Sequence, residues 1–454
     1  MNADLIITII CLIFQGERAL LDTFSIFDVL FRRKNIVRTG KKSESRELFV
    51  LIPALTEQEI IVDTIRTMLE TYGRTVQIVI ITTEREAVLA KKNADARPST
   101  SEVVRQALNN GPLKTFRGNV RVLHYPSSSG RMAHQINFAL RQLSIQYPDA
   151  HFVLYNADSI PSPESINKFQ DVFDRHPDAV VQQPCAFIRD AGKRATGFVN
   201  ALSLFQTLFC IGHETALIRR YAPRLRDRKS GCITEFLHTP LGWIVGHGSA
   251  MSIRICLRYG GYPEKYMNED LTFGYILSAH QVPIYSISAL EIADVPTRWS
   301  NFIRQKTVWF WNFLEFIRCY QDLGDSNVPN GRRMALLFIG FGRGMYWMFS
   351  SIFFGLPLMI GIAFQDRFIF VLGVAGILCF SFLPILLLKT LLPQELRRQG
   401  LMKFEKRIRS ISTVKMLFAL PIIVLSDSIG PWIATVQWIR WRLTSVLPNK
   451  PKTD

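Results

Sequence analysis

The sequence is poor in charged residues, and none of its cysteines are spaced as a Cys-x-x-Cys pair. Charged side chains make up 20% of the 454 residues, whereas hydrophobic side chains make up 48%. The seven cysteines are scattered without a Cys-x-x-Cys spacing, and their number is odd. We therefore expect neither a disulfide framework nor a zinc ribbon, and we expect a reducing compartment. The apolar content excludes a disordered or low-complexity chain.

Acidic residues are the scarcer charge, since 54 Lys and Arg face 37 Asp and Glu and leave a net charge of +17. Nucleic-acid binding, an anionic substrate and membrane topology are the competing explanations. No predicted helix or strand interleaves a basic face with aromatic side chains that could stack on bases. The basic residues lie beside long apolar segments instead. The sequence therefore predicts no nucleic-acid partner and favours a membrane protein in contact with lipids.

Long apolar runs begin near residue 335. Residues 335–364 contain one charge, Arg343, and residues 368–388 contain none. Each run reaches the roughly 20 residues that cross the hydrocarbon core of a bilayer. Only residues 365–367 separate them, which predicts a tight transmembrane hairpin. A buried hairpin of a large soluble protein is the alternative.

A third apolar run, 416–439, carries Asp427 and is interrupted by Pro421, Gly430 and Pro431. It either spans the membrane or folds back into it. The loop at 393–411 carries six basic residues, and positively charged loops stay in the cytoplasm. The chain before residue 335 would then be cytoplasmic too, in a multi-pass protein of the cell (inner) membrane. We assign 335–441 to transmembrane helices and 442–454 to a basic tail.

Residues 1–46 predict N-terminal interfacial or membrane-anchoring helices. The apolar stretch 5–14 has no basic segment before it and no clear cleavage site, which argues against a signal peptide. Residues 20–31 are amphipathic and precede a basic flank of Arg32, Arg33, Lys34, Arg38, Lys41 and Lys42. An interfacial helix against anionic lipid is expected. The alternative is a transmembrane helix interrupted by Glu17 and Arg18.

Residues 47–300 alternate short apolar runs with helical patterns, which predicts a mostly parallel sheet. The strand-like runs lie at 48–53, 76–82, 119–125, 151–155 and 179–183. Ligands bind at the carboxyl ends of such strands. Two aromatic-rich amphipathic stretches, 198–222 and 301–320, predict helices at the membrane interface, with core helices as the alternative. The second belongs to an interface segment at 301–334.

Two short motifs carry carboxylates where chemistry is expected. Asn156 and Asp158 follow an apolar strand and could hold a hard divalent cation, or Asp158 could cap the next helix. Glu269 and Asp270 open an apolar helix, where a carboxylate could act as a general base or compensate the helix dipole. Each motif is weak when taken alone.

The motifs occur in a recognisable order along the chain. They are V-L-I-P-A-L-T-E-Q-E at 50–59, G-R-M-A-H-Q-I-N at 130–137, N-A-D-S at 156–159, V-V-Q-Q-P at 180–184, G-H-G-S-A-M-S-I-R at 246–254, G-G-Y-P-E-K-Y-M-N-E-D-L at 260–271, D-V-P-T at 294–297 and R-Q-K-T-V-W at 304–309. Over residues 48–392 the chain resembles the membrane-bound family-2 glycosyltransferases, which include the cellulose, chitin and hyaluronan synthases and ceramide glucosyltransferase.

The resemblance implies an α/β GT-A fold, Rossmann-like with a mostly parallel sheet, for a cytoplasmic catalytic domain at residues 47–300. It also implies a nucleotide-sugar donor, Mg²⁺ or Mn²⁺ as cofactor, and inversion at the anomeric carbon. The metal ligand would be Asp158. The donor-binding positions that it implies are Pro53, Ala54, Glu57, Glu84 near the base, Arg131 near the phosphates, Asn156 and Asp158.

The resemblance assigns the catalytic base to Asp270, with Glu269 beside it. One base suffices, because inversion needs no second nucleophile. Basic side chains such as Arg131, Arg304 or Lys306 would neutralise the leaving diphosphate. Gln305 and Trp309 match the Gln and Trp of the family's Q-x-x-R-W motif. Residues expected at the acceptor or diphosphate are His247, Arg304, Gln305, Lys306 and Trp309.

Two positions depart from the family pattern. Asn156 replaces the first Asp of the D-x-D motif and adds no charge to the metal site, and Val308 replaces the Arg of Q-x-x-R-W. The second change weakens the case for processive polymerisation. We expect transfer of a sugar to a hydroxyl of a glycan or a lipid-linked acceptor. The alternative is a degenerate, non-catalytic membrane scaffold or export partner.

Overall fold

The computed structural model of the chain describes residues 3–31, 47–93, 97–226, 239–324 and 326–444. The basic flank predicted at 32–42 lies outside the described residues, as does most of the basic tail at 442–454.

Two sheets organise the α/β domain. The strands are β1 (Leu48–Pro53), β2 (Gln77–Thr83), β3 (Val120–Tyr125), β4 (His151–Leu154), β5 (Ile160–Pro161), β6 (Val180–Gln182), β7 (Cys185–Ala186), β8 (Ser249–Ser252), β9 (Ile284–Ser286) and β10 (Glu291–Ile292). Seven of them form one sheet in the order β3-β2-β1-β4-β8-β6-β9, in which only the pairs made by β8 are antiparallel. A small second sheet has the order β5-β10-β7.

The central strands are buried on both faces, which explains why their sequences are continuous apolar runs. The mostly parallel sheet and its predicted strands are confirmed. The sequence pattern does not predict β8, because Ser249–Ser252 lacks the β-branched and aromatic residues that mark a strand.

Seventeen helices are labelled here in chain order within the described residues. They are α1 (Ala3–Phe31), α2 (Ile61–Tyr72), α3 (Arg85–Lys92), α4 (Thr100–Asn110), α5 (Met132–Gln146), α6 (Ser165–Phe173), α7 (Gly197–Leu208), α8 (Ala216–Arg226), α9 (Ile253–Arg258), α10 (Glu269–Ala279), α11 (Trp299–Asp322), α12 (Asn330–Ala363), α13 (Arg367–Gly376), α14 (Leu383–Arg398), α15 (Met402–Arg409), α16 (Thr413–Ser426) and α17 (Ile429–Thr444). A π-helical turn, Phe209–Thr215, joins α7 to α8, and a second, Ile377–Phe382, joins α13 to α14.

The N-terminal segment is one continuous helix, α1, rather than two. It packs against α12, α13, α14 and the first π-helical turn. Arg18, which was expected to interrupt the apolar pattern, is ion-paired with Asp22 at 3.2 Å. Gln15 donates a hydrogen bond to the carbonyl of Phe353, at 2.7 Å. These polar groups are therefore accommodated against neighbouring helices.

The helix at 197–223 is buried rather than laid on a surface. Its apolar window is 72% buried, with Leu202, Leu204 and Ile211 completely inaccessible. It packs against α14 and α16, while the π-helical turn contacts α1. The expectation of an interfacial helix is wrong here, because apolar side chains meet protein on every side.

Helix α11 also packs its aromatic side chains against protein. It contacts α10 on one side and α12 and α17 on the other. Trp311 is 2% exposed and its ring lies 6.4 Å from that of Trp441. The face predicted to meet lipid headgroups is thus a core face.

Four helices in the described part of the chain are long and apolar enough to cross a membrane: Gly197–Pro223, Asn330–Ala363, Arg367–Arg398 and Thr413–Thr444. The second and third form the predicted hairpin, and Asp366 caps the third by accepting the N–H groups of Phe368 and Ile369. The third apolar run divides into α16 and α17 at Asp427 and Ser428, rather than at its prolines.

The basic loop at 393–411 docks on the α/β domain. Gln399 donates to the carbonyl of Ser288 at 2.8 Å and accepts the N–H of Leu290 at 2.6 Å. Ser410 accepts the N–H of Lys193 at 2.9 Å. The loop and the α/β domain therefore lie on the same side of the apolar helices.

Close packing of α17 on α11 requires a glycine at position 430. A Cβ there would lie 2.6 Å from the Cβ of Lys306 and 2.7 Å from the N of Thr307, whereas a Cβ at Gly342 would meet nothing within 4 Å. We expect Gly430→Ala to cost about 1–3 kcal/mol through overpacking. Its thermal unfolding temperature in detergent should fall, while Gly342→Ala should keep or raise it. Equal temperatures for both variants would contradict this packing.

Candidate active site

One large cavity, about 1100 Å³ in volume, opens where β1, β2 and β4 end. Its other wall is formed by the first π-helical turn, α11 and α12, so it lies between the α/β domain and the apolar helices. Most of the predicted site residues line it: Pro53, Ala54, Glu57, Arg131, Asn156, Asp158, His247, Glu269, Asp270, Gln305 and Trp309. The fold thus brings motifs from the whole α/β domain to one cavity.

The first turn of α5 lies at the wall of this cavity. Arg131 precedes the helix, lines the cavity and donates to the carbonyl of Tyr266, at 3.3 Å. Gln135 ties the helix to the strand ends by donating to the carbonyls of Ala54 and Ile81. Unpaired N–H groups and the helix dipole favour an anion at such a terminus. This end of the cavity therefore suits a diphosphate.

Glu84 does not line the cavity. Its side chain is 53% exposed and lies 3.2 Å from Nε2 of His124. The neighbouring residues Thr83 and Arg85 line the cavity instead. Glu84 therefore lies outside the wall of the cavity to which the resemblance assigns the donor.

Asp158 faces a second carboxylate that the motif analysis gave no role. The backbone N–H of Asp294 donates to Oδ2 of Asp158 at 3.3 Å, and both residues line the cavity. Burial, followed by the negative charge of Asp158, raises the pKa of Asp294 to about 7. Arg189 donates to the backbone carbonyl of Asp158 at 2.7 Å and lies 3.6 Å from Oδ1 of Asp294.

The donor set around Asp158 fits Mg²⁺ or Mn²⁺. Asp158, Asp294 and Asn156 offer carboxylate and amide oxygens in one cavity wall, and such oxygens are the ligands that hard divalent cations prefer. Oδ1 of Asp294 is buried without a hydrogen bond among the described residues. A cation would relieve the repulsion between the two carboxylates. Asp294 therefore supplies charge that Asn156 lacks.

Asp270 is fixed at the start of α10 by backbone groups. Its Oδ2 accepts the N–H of Gly246 at 2.7 Å, and its Oδ1 accepts the N–H of Leu271 at 2.7 Å. Glu269 beside it is 4% exposed and also lines the cavity. A carboxylate held in this way has a defined orientation towards the cavity, as a general base requires.

Helix α11 holds the loop that carries Asp270. Asn268 donates to the carbonyl of Val308 at 2.6 Å, and Thr272 donates to Asn312 at 2.7 Å. Glu315, 1% exposed, accepts the N–H of Met267 at 2.9 Å. Burial raises the pKa of Glu315 to about 7, against the opposing effect of that hydrogen bond.

Sequence reasoning missed Glu315 and Asn312. Their signal was available, because Asn312 and Glu315 lie three positions apart, on one side of a helical stretch whose other residues are apolar or aromatic. Polar residues at buried helical positions need partners, and the loop before Asp270 supplies them.

The predicted basic residues of α11 are not cavity residues. Arg304 is exposed, and Lys306 is 1% exposed. Lys306 lies 3.5 Å from Asp427 and is surrounded by the rings of Phe205, Phe209, Phe302, Trp309 and Trp347. Neither side chain is positioned to neutralise a leaving diphosphate in this structure.

Gln305 and Trp309, by contrast, line the cavity. Gln305 accepts a hydrogen bond from Gln206 at 2.7 Å, which ties α11 to the buried helix α7. The Q and W of the motif thus face the cavity.

His247 is held by a buried carboxylate. Its Nδ1 lies 3.0 Å from Oε2 of Glu291, which is inaccessible to solvent. Burial favours the neutral imidazole, but the charge of Glu291 outweighs burial and raises the pKa of His247 to about 9. His247 is therefore a cation at the cavity wall at neutral pH.

The far end of the cavity is formed by the apolar helices. Arg18, Arg343 and Tyr346 line it there, together with Trp347 and Asp427. The indole N–H of Trp347 donates to Oδ2 of Asp427 at 2.8 Å. Trp347 and Asp427 are thus also part of the cavity wall.

The mixed, mostly parallel sheet with its ligand cavity at the strand ends is that of a GT-A glycosyltransferase. The chain belongs to the glycosyltransferase-like family 2, whose family model matches residues 46–312, more than half of its length. No curated protein matches the chain.

Solved structures resemble the chain at a distance. The mannosyltransferase PcManGT from Pyrobaculum calidifontis in complex with GDP-Man and Mn²⁺ aligns at TM-score 0.42 and 14% identity, over 90% of this chain and 99% of that one. S. aureus TarS 1–349 aligns at TM-score 0.39 and 12% identity, over 85% and 92%; its complex with UDP-GlcNAc aligns at 0.38, with the same identity and coverage. The fold assignment depends on the family match and the sheet rather than on these likenesses.

Protonation of Asp294 should compete with a divalent cation. Below its pKa of about 7 Asp294 is neutral, so Mn²⁺ affinity should rise by up to about tenfold per pH unit up to pH 7 and then level off. Asp294→Asn should flatten this rise. The Mn²⁺ affinity at each pH is measured by electron paramagnetic resonance of the free Mn²⁺.

The control is Asp178→Asn, which removes an exposed carboxylate paired with Arg254 and should leave the pH dependence unchanged. A pH dependence that persists in Asp294→Asn would rule out Asp294 as a ligand.

Proposed function

We propose that this protein is a membrane-bound inverting glycosyltransferase. It moves a sugar from a nucleoside diphosphate-sugar to a hydroxyl of a glycan or lipid-linked acceptor, in cell-surface polysaccharide or glycolipid synthesis. The observation that carries the proposal is one cavity with two separate carboxylate groups. Asp158 and Asp294 lie at one part of its wall and Asp270 at another.

In this mechanism Asp270 removes the proton of the acceptor hydroxyl. The acceptor oxygen attacks the anomeric carbon, the bond from that carbon to the diphosphate oxygen breaks, and the proton passes to Asp270. The hydrogen bond from Gly246 fixes the carboxylate before the reaction, so little reorganisation is needed. A single displacement inverts the anomeric carbon.

The leaving diphosphate lies at the N-terminus of α5. Arg131 and the first N–H groups of α5 bind its negative charge. Asp158 and Asp294 would hold Mg²⁺ or Mn²⁺, which supplies the remaining charge neutralisation when bound. Arg131 takes over the role that Arg304 and Lys306 were expected to share.

The acceptor reaches the cavity from the side of the apolar helices. Tyr346 and Trp347 of α12 line that end of the cavity, and aromatic faces suit sugar rings. A cavity that extends into helices long enough to span a bilayer supports an acceptor attached to or embedded in the membrane. Gln305 and Trp309 lie between the two ends.

We expect Asp270→Asn to lower the transfer rate by about 10²–10⁴-fold, the usual contribution of a general base, while donor binding survives. The transfer rate is measured as release of nucleoside diphosphate from a panel of nucleotide sugars. Donor binding is measured by calorimetric titration. Asp63→Asn, an exposed carboxylate of α2, is the control. Unchanged turnover in Asp270→Asn contradicts the mechanism, and no turnover in the wild type with any donor favours the scaffold alternative.

A cytoplasmic α/β domain, as proposed here, predicts which residues can be labelled from outside the cell. In a chain that lacks both Cys379, which is exposed, and Cys232, which lies outside the described residues, Gln365→Cys at the hairpin turn should react with a membrane-impermeant maleimide in intact cells. Met402→Cys, 60% exposed in the loop docked on the α/β domain, should react only after lysis. The reverse pattern would place the catalytic domain outside.

A further inference from the structure

Three side chains with metal-ligating atoms converge beside the D-x-D position. Nδ1 of His247 lies 3.0 Å from Oε2 of Glu291, and the ligand atoms of Cys185, His247 and Glu291 all lie within 4.8 Å of one another. Metal–ligand bonds of roughly 2.0–2.3 Å place such atoms about 3.3–3.8 Å apart. A small decrease in the longest of these interatomic distances would therefore allow all three atoms to bind one ion.

The backbone holds two of these residues in register. Cys185 and Glu291 are direct partners in the parallel pair of β7 and β10, so their side chains leave the same face of the small sheet. The loop before β8 brings His247 over them. Gly248 has φ +64°, and a Cβ there would lie 2.7 Å from Oε2 of Glu291, so a glycine is needed for this close approach.

The cluster has the supporting contacts and the open side of a metal site. Ser159 donates to Oε1 of Glu291 at 2.5 Å and fixes the carboxylate, as outer-shell partners of metal ligands do. Cys185 and His247 line the large cavity, whereas Glu291 lies behind them. An ion held by the three would keep one coordination position towards the cavity.

Charge also balances in the loaded site. Glu291 is completely buried, and its negative charge is balanced by His247. A divalent ion bound by a thiolate, a carboxylate and a neutral imidazole has a net charge of zero.

We propose that Cys185, His247 and Glu291 form a binding site for a borderline transition-metal ion of the Zn²⁺ class. Sulfur and imidazole ligands select such ions over Mg²⁺, which prefers oxygen. The site is therefore different in chemistry from the all-oxygen set around Asp158 and Asp294. It does not depend on the proposed function. Three protein ligands with one open position are the arrangement of catalytic zinc sites rather than of structural ones.

The test uses Co²⁺ as a spectroscopic probe on the full-length protein in detergent after treatment with a chelator. We expect one equivalent of Co²⁺ to bind and to produce a thiolate-to-cobalt charge-transfer band, which one equivalent of Zn²⁺ then removes. Cys185→Ser should abolish the band. Cys256→Ser is the matched control, because Cys256 is equally buried, in α9, and does not belong to the cluster.

Further variants separate this site from the catalytic one and from loss of folding. His247→Asn and Glu291→Gln should each weaken Co²⁺ binding at least tenfold, and Asp158→Asn should leave the band intact. Thermal unfolding of each variant checks that it is folded. The proposal is overturned if the wild type gives no band, if the band survives in Cys185→Ser, or if Asp158→Asn removes it.

Discussion

The hydrogen bonds between the Asp270 loop and α11 are the constraint on which the rest of the site depends. Asn268 and Glu315 are buried, and a buried polar group left without its partner costs about 1–3 kcal/mol. These contacts oblige the start of α10 and the middle of α11 to stay together. The same stretch of α11 carries Gln305 and Trp309 and packs on α12 and α17. Asp270, the proposed catalytic carboxylate, and the apolar helices therefore share one rigid support.

A buried ion pair extends this support into the membrane helices. Lys306 of α11 pairs with Asp427 at the break between α16 and α17, and Trp347 of α12 donates to the same carboxylate. Removing one partner of a buried pair typically costs 3–5 kcal/mol, because the other charge remains uncompensated. The break in the third apolar run is thus a fixed element of the cavity wall rather than a flexible hinge.

Sequence reasoning predicted the parts of the site that follow a local rule. Asp158 and Asp270 stand where an apolar strand ends or a helix begins, and the fold places both at one cavity. Asp294 and Glu291 follow no such rule, because their environment is made by strands and helices distant in the chain. Lys306 was assigned a role that its position does not allow. As a basic residue inside a functional motif it was expected at the diphosphate, yet five aromatic rings and Asp427 surround it.

The sequence alone determined the strands and the apolar helices, because hydrophobic periodicity acts over a few turns of chain, and the order of its motifs indicated the class of protein through their resemblance to family-2 glycosyltransferases. Only the tertiary structure decided which carboxylates meet, that 197–223 is buried on every side, and that the cavity reaches the membrane helices. These depend on strand register and helix packing between residues more than a hundred positions apart. The pairing of Cys185 with Glu291 across β7 and β10 is the plainest case.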